Sequence, residues 1–389
     1  MKTHWKIPIE FLQLLLALSL LLGTQTTVKA DKFDEGNAAF TAGNYQKAFE
    51  LYQPLAEDGN VWAQAFLGSM YEYGTGVPKD YTEAVKWYRK AAEQGSAAAQ
   101  TNLGRAYSNG RGVPLDYKEA IKWYREAAEQ GLSFAQSDLG KAYYSGNGVP
   151  RNYKEAFKWH QKAALQGLAE SQAVLGGMYH EGNGIPRDYK KAFKWFQKAA
   201  EQKNSFAQYG LGEMYREGNG VPQDYKESIK WFREAAEQGN SEAQFNVGRM
   251  YLQGQGVARD YVKTAMWIRK AARQGHGRAQ TYLGNLYDSG KGVHQDSFEA
   301  VKWYRKAAEQ GIAAAQANLG NMYAQGKGVP QDYVKAHKWY NLAGAGGNNQ
   351  GKQNRDVLEK KMTPSQVTEA QKLASEWKPK TWKELSQQN

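Results

Sequence analysis

Residues 99–134 read AQTNLGRAYSNGRGVPLDYKEAIKWYREAAEQGLSF, and this pattern returns along most of the chain. Trp87, Trp123, Trp159, Trp195, Trp231, Trp267, Trp303 and Trp339 stand 36 residues apart without a slip. A fixed period of that length marks stacked copies of one small unit, not separate domains. Copies open at Ala63, Ala99, Ala135, Ser171, Ala207, Ala243, Ala279 and Ala315. In the quoted unit Ala99, Leu103, Ala106 and Tyr107 fall at helical spacing and make one apolar stripe. Gly110 and Gly112 end this first helix, since glycine accepts the left-handed geometry found there. Val113-Pro114 blocks its continuation. Asp116 then caps a second helix, and Glu119 three residues on predicts a capping box. That helix passes Ala120, Trp123, Tyr124 and Ala127-Ala128 to Gln130, and Gly131 stops it.

The cap recurs at Asp80, Asp116, Asn152, Asp188, Asp224, Asp260, Asp296 and Asp332. The loop proline is replaced twice, by Ala258 and His294. Gly68, Gly104, Gly140, Gly176, Gly212, Gly248, Gly284 and Gly320 sit inside first helices, where glycine costs about 1 kcal/mol relative to alanine. Close approach of the partner helix explains them, with the Ala-Ala pairs opposite and Trp and Tyr as flanking core. The sequence therefore predicts an all-α fold, a right-handed α-α superhelix of eight 36-residue helical hairpins over 63–350. Residues 31–62 hold a hairpin without the Gly-Val-Pro loop and read as an N-terminal cap. Residues 351–389 read as C-terminal capping helices, with Thr363-Pro364 at a helix start and Val367, Ala370, Leu373, Ala374 and Trp377 on one face.

The whole chain has 389 residues, 51 Lys plus Arg against 39 Asp plus Glu, and no cysteine. Disulfides, thiolate metal sites and cysteine nucleophiles are excluded at once. Residues 1–30 read as a signal peptide: Lys2 and Lys6, an apolar run over 11–22, then Val28-Lys29-Ala30 before Asp31. Cleavage is expected after Ala30, with the mature protein periplasmic or secreted. An uncleaved anchor is the competing reading, though the run is shorter than the ~20 residues a span needs. Lacking cysteine, the chain cannot carry a lipoprotein anchor.

The unit resembles the Sel-one-like repeat family, a 36-residue relative of the tetratricopeptide repeat. Residues 63–347 follow A-Q-x-x-L-G-x-x-Y-x-x-G-x-G-V-P-x-D-Y-x-x-A-x-x-W-Y-x-x-A-A-x-Q-G. The resemblance implies an α-solenoid that binds other proteins or peptides, often as an adaptor for envelope complexes, signalling or host contact. A cysteine-rich bacterial branch is linked to β-lactam binding and hydrolysis, and this cysteine-free chain does not resemble that branch.

Chemistry of other kinds finds little support. His160, His180, His276, His294 and His337 form no metal-ligand pair at helical spacing, and no cofactor is expected. The Gly-x-Gly-Val-Pro loops follow helices and lack the third glycine of a dinucleotide fingerprint. Ser375 and Lys378 have Ser-x-x-Lys spacing but no accompanying Ser-Asp-Asn or Lys-Thr-Gly element, so a penicillin-binding or β-lactamase-like enzyme is only an alternative. The positive charge lies largely on second helices, at Lys86, Lys122, Lys158, Lys194, Lys230 and Lys302 and at Arg89, Arg125, Arg233 and Arg305. Interleaved with Glu, these read as a solvated face and not as a nucleic-acid surface. Weak association with anionic envelope surfaces stays open.

Positions that vary between copies carry the functional reading. If first helices line a concave face, the residues before the Ala, two after it and around the Tyr are exposed there. They give Arg105, Lys141, Tyr144, His180, Phe206, Tyr209, Arg216, Phe245, Arg249 and Asp288. Aromatics and Arg are favoured as interface anchors. The expected function is non-catalytic binding of a protein or peptide by a monomeric scaffold, with cell-wall glycan as a further alternative ligand.

Overall fold

The computed structural model describes residues 27–387, and all their regular structure is helical. Residues 1–26, with most of the expected signal, lie outside the described residues; the helix Thr27–Thr41 runs through Ala30 and Asp31. The chain divides into two compact units, residues 1–188 and 189–389. Each is a run of helical hairpins in which successive helices pack side by side.

The hairpin of the quoted stretch shows how the sequence builds each copy. Its first helix is Ala97–Asn109, capped by the Ser96 side chain accepting from Ala99 N–H and closed by left-handed Gly110. The second is Tyr117–Glu129, with the Asp116 carboxylate accepting from Lys118 and Glu119 N–H. The capping box expected from Glu119 does not form. Its carboxylate instead holds Lys122 at 2.7 Å, one turn onward. Gly112, at φ +71°, lies against the first residue of the preceding second helix, where any Cβ would overlap the Tyr81 carbonyl. The second loop glycine thus sets the contact between neighbouring copies.

The glycines inside first helices do permit close approach; the group received is a ring at six of them and the Ile268 side chain at Gly248. A Cβ on Gly104 would lie 2.6 Å from the Tyr124 ring, and on Gly212 2.6 Å from Phe232. Tyr88, Tyr304 and Tyr340 cover Gly68, Gly284 and Gly320 in the same way, and His160 covers Gly140. The Ala-Ala pairs expected there are buried elsewhere in the core. The recurring tryptophans pack one copy back: Trp123 against the 84–106 cluster, Trp159 against the 120–142 cluster.

Two bonding patterns stitch neighbouring copies. The buried glutamine after the opening residue donates to an alanine carbonyl of the preceding copy in seven copies, as Gln100 does to Ala92 O at 3.2 Å. The same glutamine accepts from a glutamine 30 residues ahead, at 2.5–2.8 Å in six places that include Gln130 to Gln100. A buried amide with its groups satisfied rigidifies the interior, whereas an unsatisfied one costs about 1–3 kcal/mol. The second pattern corrects the expectation of a wholly solvated outer face. Arg89, Arg125, Arg233 and Arg305 donate to the hydroxyls of Tyr107, Tyr143, Tyr251 and Tyr323, one copy ahead. The lysines beside them do behave as surface groups, pairing with Glu three residues back at Lys86, Lys122, Lys158, Lys230 and Lys302. Such exposed pairs add little stability.

Both ends depart from the unit. The hairpin Thr27–Thr41 with Tyr45–Glu57 keeps the glycine–ring contact, Gly36 against Tyr52. It carries the framework contact of the other copies with a shortened loop. At the other end follow Asn349–Glu359, Pro364–Ser375 and the short Trp382–Ser386. Thr363 and Gln366 form the capping box that the repeats lack.

Candidate functional site

In the N-terminal unit the exposed side of the first helices opens into a groove of about 560 Å³. Its floor holds the Tyr88 and Tyr124 rings. Tyr88 OH donates to Glu72 at 2.7 Å and lies 3.0 Å from Ser69 Oγ, and Tyr124 OH lies 2.9 Å from Ser108 Oγ. Burial pushes both phenols well above their ordinary pKa, so they stay protonated and neutral. Arg105 Nε meets Asp138 at 2.7 Å, and Lys141 bridges Asp138 at 3.3 Å and Glu170 at 2.8 Å. Burial pulls the Lys141 ammonium pKa down, but Asp138 and Glu170 outweigh it and the value stands above the ordinary one. At the rim, Arg111 lies over the Tyr81 ring at 5.6 Å and 3.9 Å from Glu72, while Tyr73 and Tyr117 are 46% and 38% exposed. Aromatic faces, a fixed guanidinium pair and open amides such as Asn102 suit an extended polar chain with an occasional ring.

Of the residues expected to bind, the groove brings together Arg105 and Lys141. Tyr144 and His180 belong to the same unit outside the groove lining; Tyr144 accepts from Asn183 at 3.2 Å and stacks edge-on with Tyr153. The remaining candidates lie in the C-terminal unit. Phe206 is 52% exposed, and Arg216 is held by Glu213 and Glu217. Arg249 is half-buried over the Phe245 ring at 5.8 Å, and Asp288 pairs with Lys327 at 2.5 Å. Tyr209 is half-buried against Phe232, and burial raises its phenol to about 12.

Phe245 is a correction. It is 2% exposed, stacked on His276 at 4.7 Å and edge-on to Tyr282 at 5.4 Å. The equivalent Thr101, Ser137, Ala173, Thr281 and Ala317 are buried too, because a side chain two places after the Ala points into the neighbouring hairpin. The residue that lines the groove is the next one along, where half-buried Asn102 and Asp138 stand. Arg111 and Tyr117 were missed for another reason: they come from the loop and the second helix, and the expected face was drawn from first helices alone. Ser375 is exposed, and its hydroxyl donates to Lys372 O at 2.8 Å. Among the described residues no His, Asp and Glu cluster could hold a metal ion, and no helix is long and apolar enough to cross a membrane.

Stacked 36-residue helical hairpins sealed by glycine–ring contacts define a repeat scaffold, and the chain belongs to the Sel1 repeat family. The family profile matches nine segments, 35–60, 63–96 and seven from 97–132 to 313–348. The first of these confirms that the N-terminal hairpin is a ninth copy. A protective antigen of uropathogenic Escherichia coli, displaying an SLR fold, is 33% identical; the match covers 99% of this chain and 98% of that one, with a TM-score of 0.60. A Sel1 repeat protein from Oxalobacter formigenes is 31% identical over 63% of this chain and 96% of its own, with a TM-score of 0.58. No curated protein matches the sequence. Repeats of this kind are scaffolds for protein–protein interaction.

Proposed function

We propose that this chain is a non-catalytic scaffold acting outside the cytoplasm, and that it holds a protein or peptide segment in the groove of its N-terminal unit. The carrying observation is the division of labour among residues. Framework side chains repeat from copy to copy, Tyr117 among them, while the groove also presents Tyr73, Asn102, Arg105, Arg111 and Lys141, at places that vary between copies. A photo-crosslinking amino acid at Tyr117 is expected to trap a partner from envelope extract, and one at Lys122 is not. The combined Tyr73→Ala and Arg111→Ala change should remove the adduct, since losing an aromatic and an Arg anchor typically costs about 2 kcal/mol or more each. Equal adducts from both positions would place binding elsewhere. Competition by soluble peptidoglycan fragments would favour the glycan reading.

Export is part of the same reading and rests on the charged start, the short apolar run and Val28-Lys29-Ala30. N-terminal sequencing of the protein recovered from the periplasm or medium should begin at Asp31. A form that starts at Met1 in the membrane fraction would make the segment an anchor.

A further inference from the structure

The C-terminal segment after Ser375 does not simply trail away. It turns back along the edge formed by the turns that link each second helix to the next first helix. Pro379 and Trp377 lie over the turn glycine Gly311, and Trp382 lies over Gly275, where any Cβ would fall inside the indole. Lys380 N–H donates to Glu309 O at 2.8 Å, using a carbonyl that a helix end leaves without an internal partner. Its ammonium reaches the Glu309 carboxylate at 3.6 Å, and Lys306 lies 5.7 Å from the Trp382 ring centre. Four features thus hold the sequence Pro-Lys-Thr-Trp: a glycine, a lysine, a glutamate and a second glycine, namely Gly275, Lys306, Glu309 and Gly311.

The same four stand at one place in the N-terminal unit, at Gly59, Lys90, Glu93 and Gly95, with identical spacing in the repeat. There nothing lies within 4 Å of where a Cβ would be on either glycine, and Lys90 and Glu93 are exposed. Their occupied counterparts Lys306 and Glu309 are half-buried, and Gly275 is buried. Lys90 sits 4.1 Å over its own Trp87, whereas Lys306 is drawn between two rings, 5.4 Å from Trp303 and 5.7 Å from Trp382. Neighbouring turns do not reproduce the set. Glu126 replaces the lysine beside Gly95, Leu165 replaces the glutamate beside Gly131, and Lys203 at φ +62° replaces a turn glycine in the C-terminal unit.

We infer that the edge at Gly59, Lys90, Glu93 and Gly95 is a docking site for an extended partner segment carrying a Lys-x-Trp sequence, with the indole seated on Gly59. This surface is separate from the groove, so it stands or falls independently of the groove reading. The glycine supplies a flat floor with no side chain, the lysine a cation against the ring face, and the glutamate a pair for the incoming lysine.

The test uses the full chain, with its own C-terminal segment in place, and a fluorescent synthetic peptide of residues 376–387. Saturable binding at one peptide per chain is expected. Glu93→Lys should weaken it roughly tenfold or more, as should Lys90→Glu, because each removes a charge or ring contact at the site. The peptide bearing Trp382→Ala should not bind, and Glu309→Lys in the protein should leave binding unchanged. Circular dichroism of each protein variant must match the parent, and a salt-resistant loss in both Glu93→Lys and Lys90→Glu guards against a fault in one of them. No saturable binding overturns the assignment. So does binding that Glu309→Lys abolishes and Glu93→Lys spares, since the peptide would then be displacing the chain's own segment.

Discussion

Gly212→Leu is expected to lower the stability of the C-terminal unit by about 3 kcal/mol or more, although it improves the local helix former. Helix propensity alone favours the change by about 1 kcal/mol. Packing opposes it, because a Cβ at Gly212 would already lie 2.6 Å from the Phe232 ring, which is fully buried. The ring cannot step aside: it is enclosed by Ala235, Ala243, Val247 and Met250 in one core cluster. Interiors this dense turn an added side chain into strain. Lys230→Ala on the same second helix should stay within about 0.5 kcal/mol, since this exposed lysine pairs with exposed Glu227 at 3.4 Å and lies over the Trp231 ring at 5.8 Å. Adding Phe232→Ala to Gly212→Leu should restore part of the loss, a coupling of about 1 kcal/mol or more in thermal or urea unfolding. Melting of Gly212→Leu level with Lys230→Ala would dispose of the glycine–ring account.

Acid is expected to weaken the N-terminal unit through one ring. His160 is fully buried over Gly140, with Nδ1 3.1 Å from Ser171 Oγ and no hydrogen-bond partner for Nε2. Burial, helped by the nearby Lys141 and opposed by Asp138, brings its pKa down to about 4. In the unfolded chain it titrates near the ordinary value of about 6.5. Between those values the unfolded state binds more protons, so stability falls as pH drops through that window and is untouched above neutrality. The full effect is on the order of 3 kcal/mol. His160→Phe, the residue found at the equivalent places 196 and 232, removes the titrating group while keeping a ring on the glycine. Urea midpoints at pH 7 and pH 5 should therefore differ clearly less in His160→Phe than in the parent. Identical differences would assign the acid sensitivity to groups other than His160.

The repeat made the helices easy to read and some of their contacts hard to read. Ala99, Leu103, Asp116 and Gly110 announce a helix, its cap and its end by local chemistry, and the structure has them where the spacing put them. Gly104 announced a close approach, but its partner had to be found in three dimensions, because the Tyr124 ring and the Ala127-Ala128 pair recur equally often. Gln100 recurs in all eight copies and Arg125 in five, and periodicity does not say whether a polar side chain faces water or the neighbouring copy. Phe245 shows the sharpest limit. A helix turns about 100° per residue, so taking the second place after the Ala instead of the third moves a side chain from the groove into the core. The folding back of Pro379 and Trp382 occurs once in the chain, and a feature without copies leaves no period to detect.

The contact of Gly112 with the start of the preceding second helix has a consequence for how such a chain can change length. One residue added between Gly110 and Asp116 would change the spacing of the pairs that span it, such as Gly104 with Tyr124 and Gln100 with Gln130. A gain or loss of one whole 36-residue copy leaves each joint as it was. Chain length is therefore quantised, growing by duplication and shrinking by excision of complete units. Arg105 and Arg111 join neighbouring copies through ion pairs, to Asp138 and Glu72, and take no part in the glycine contact, so what the chain holds can be rewritten without rebuilding that joint.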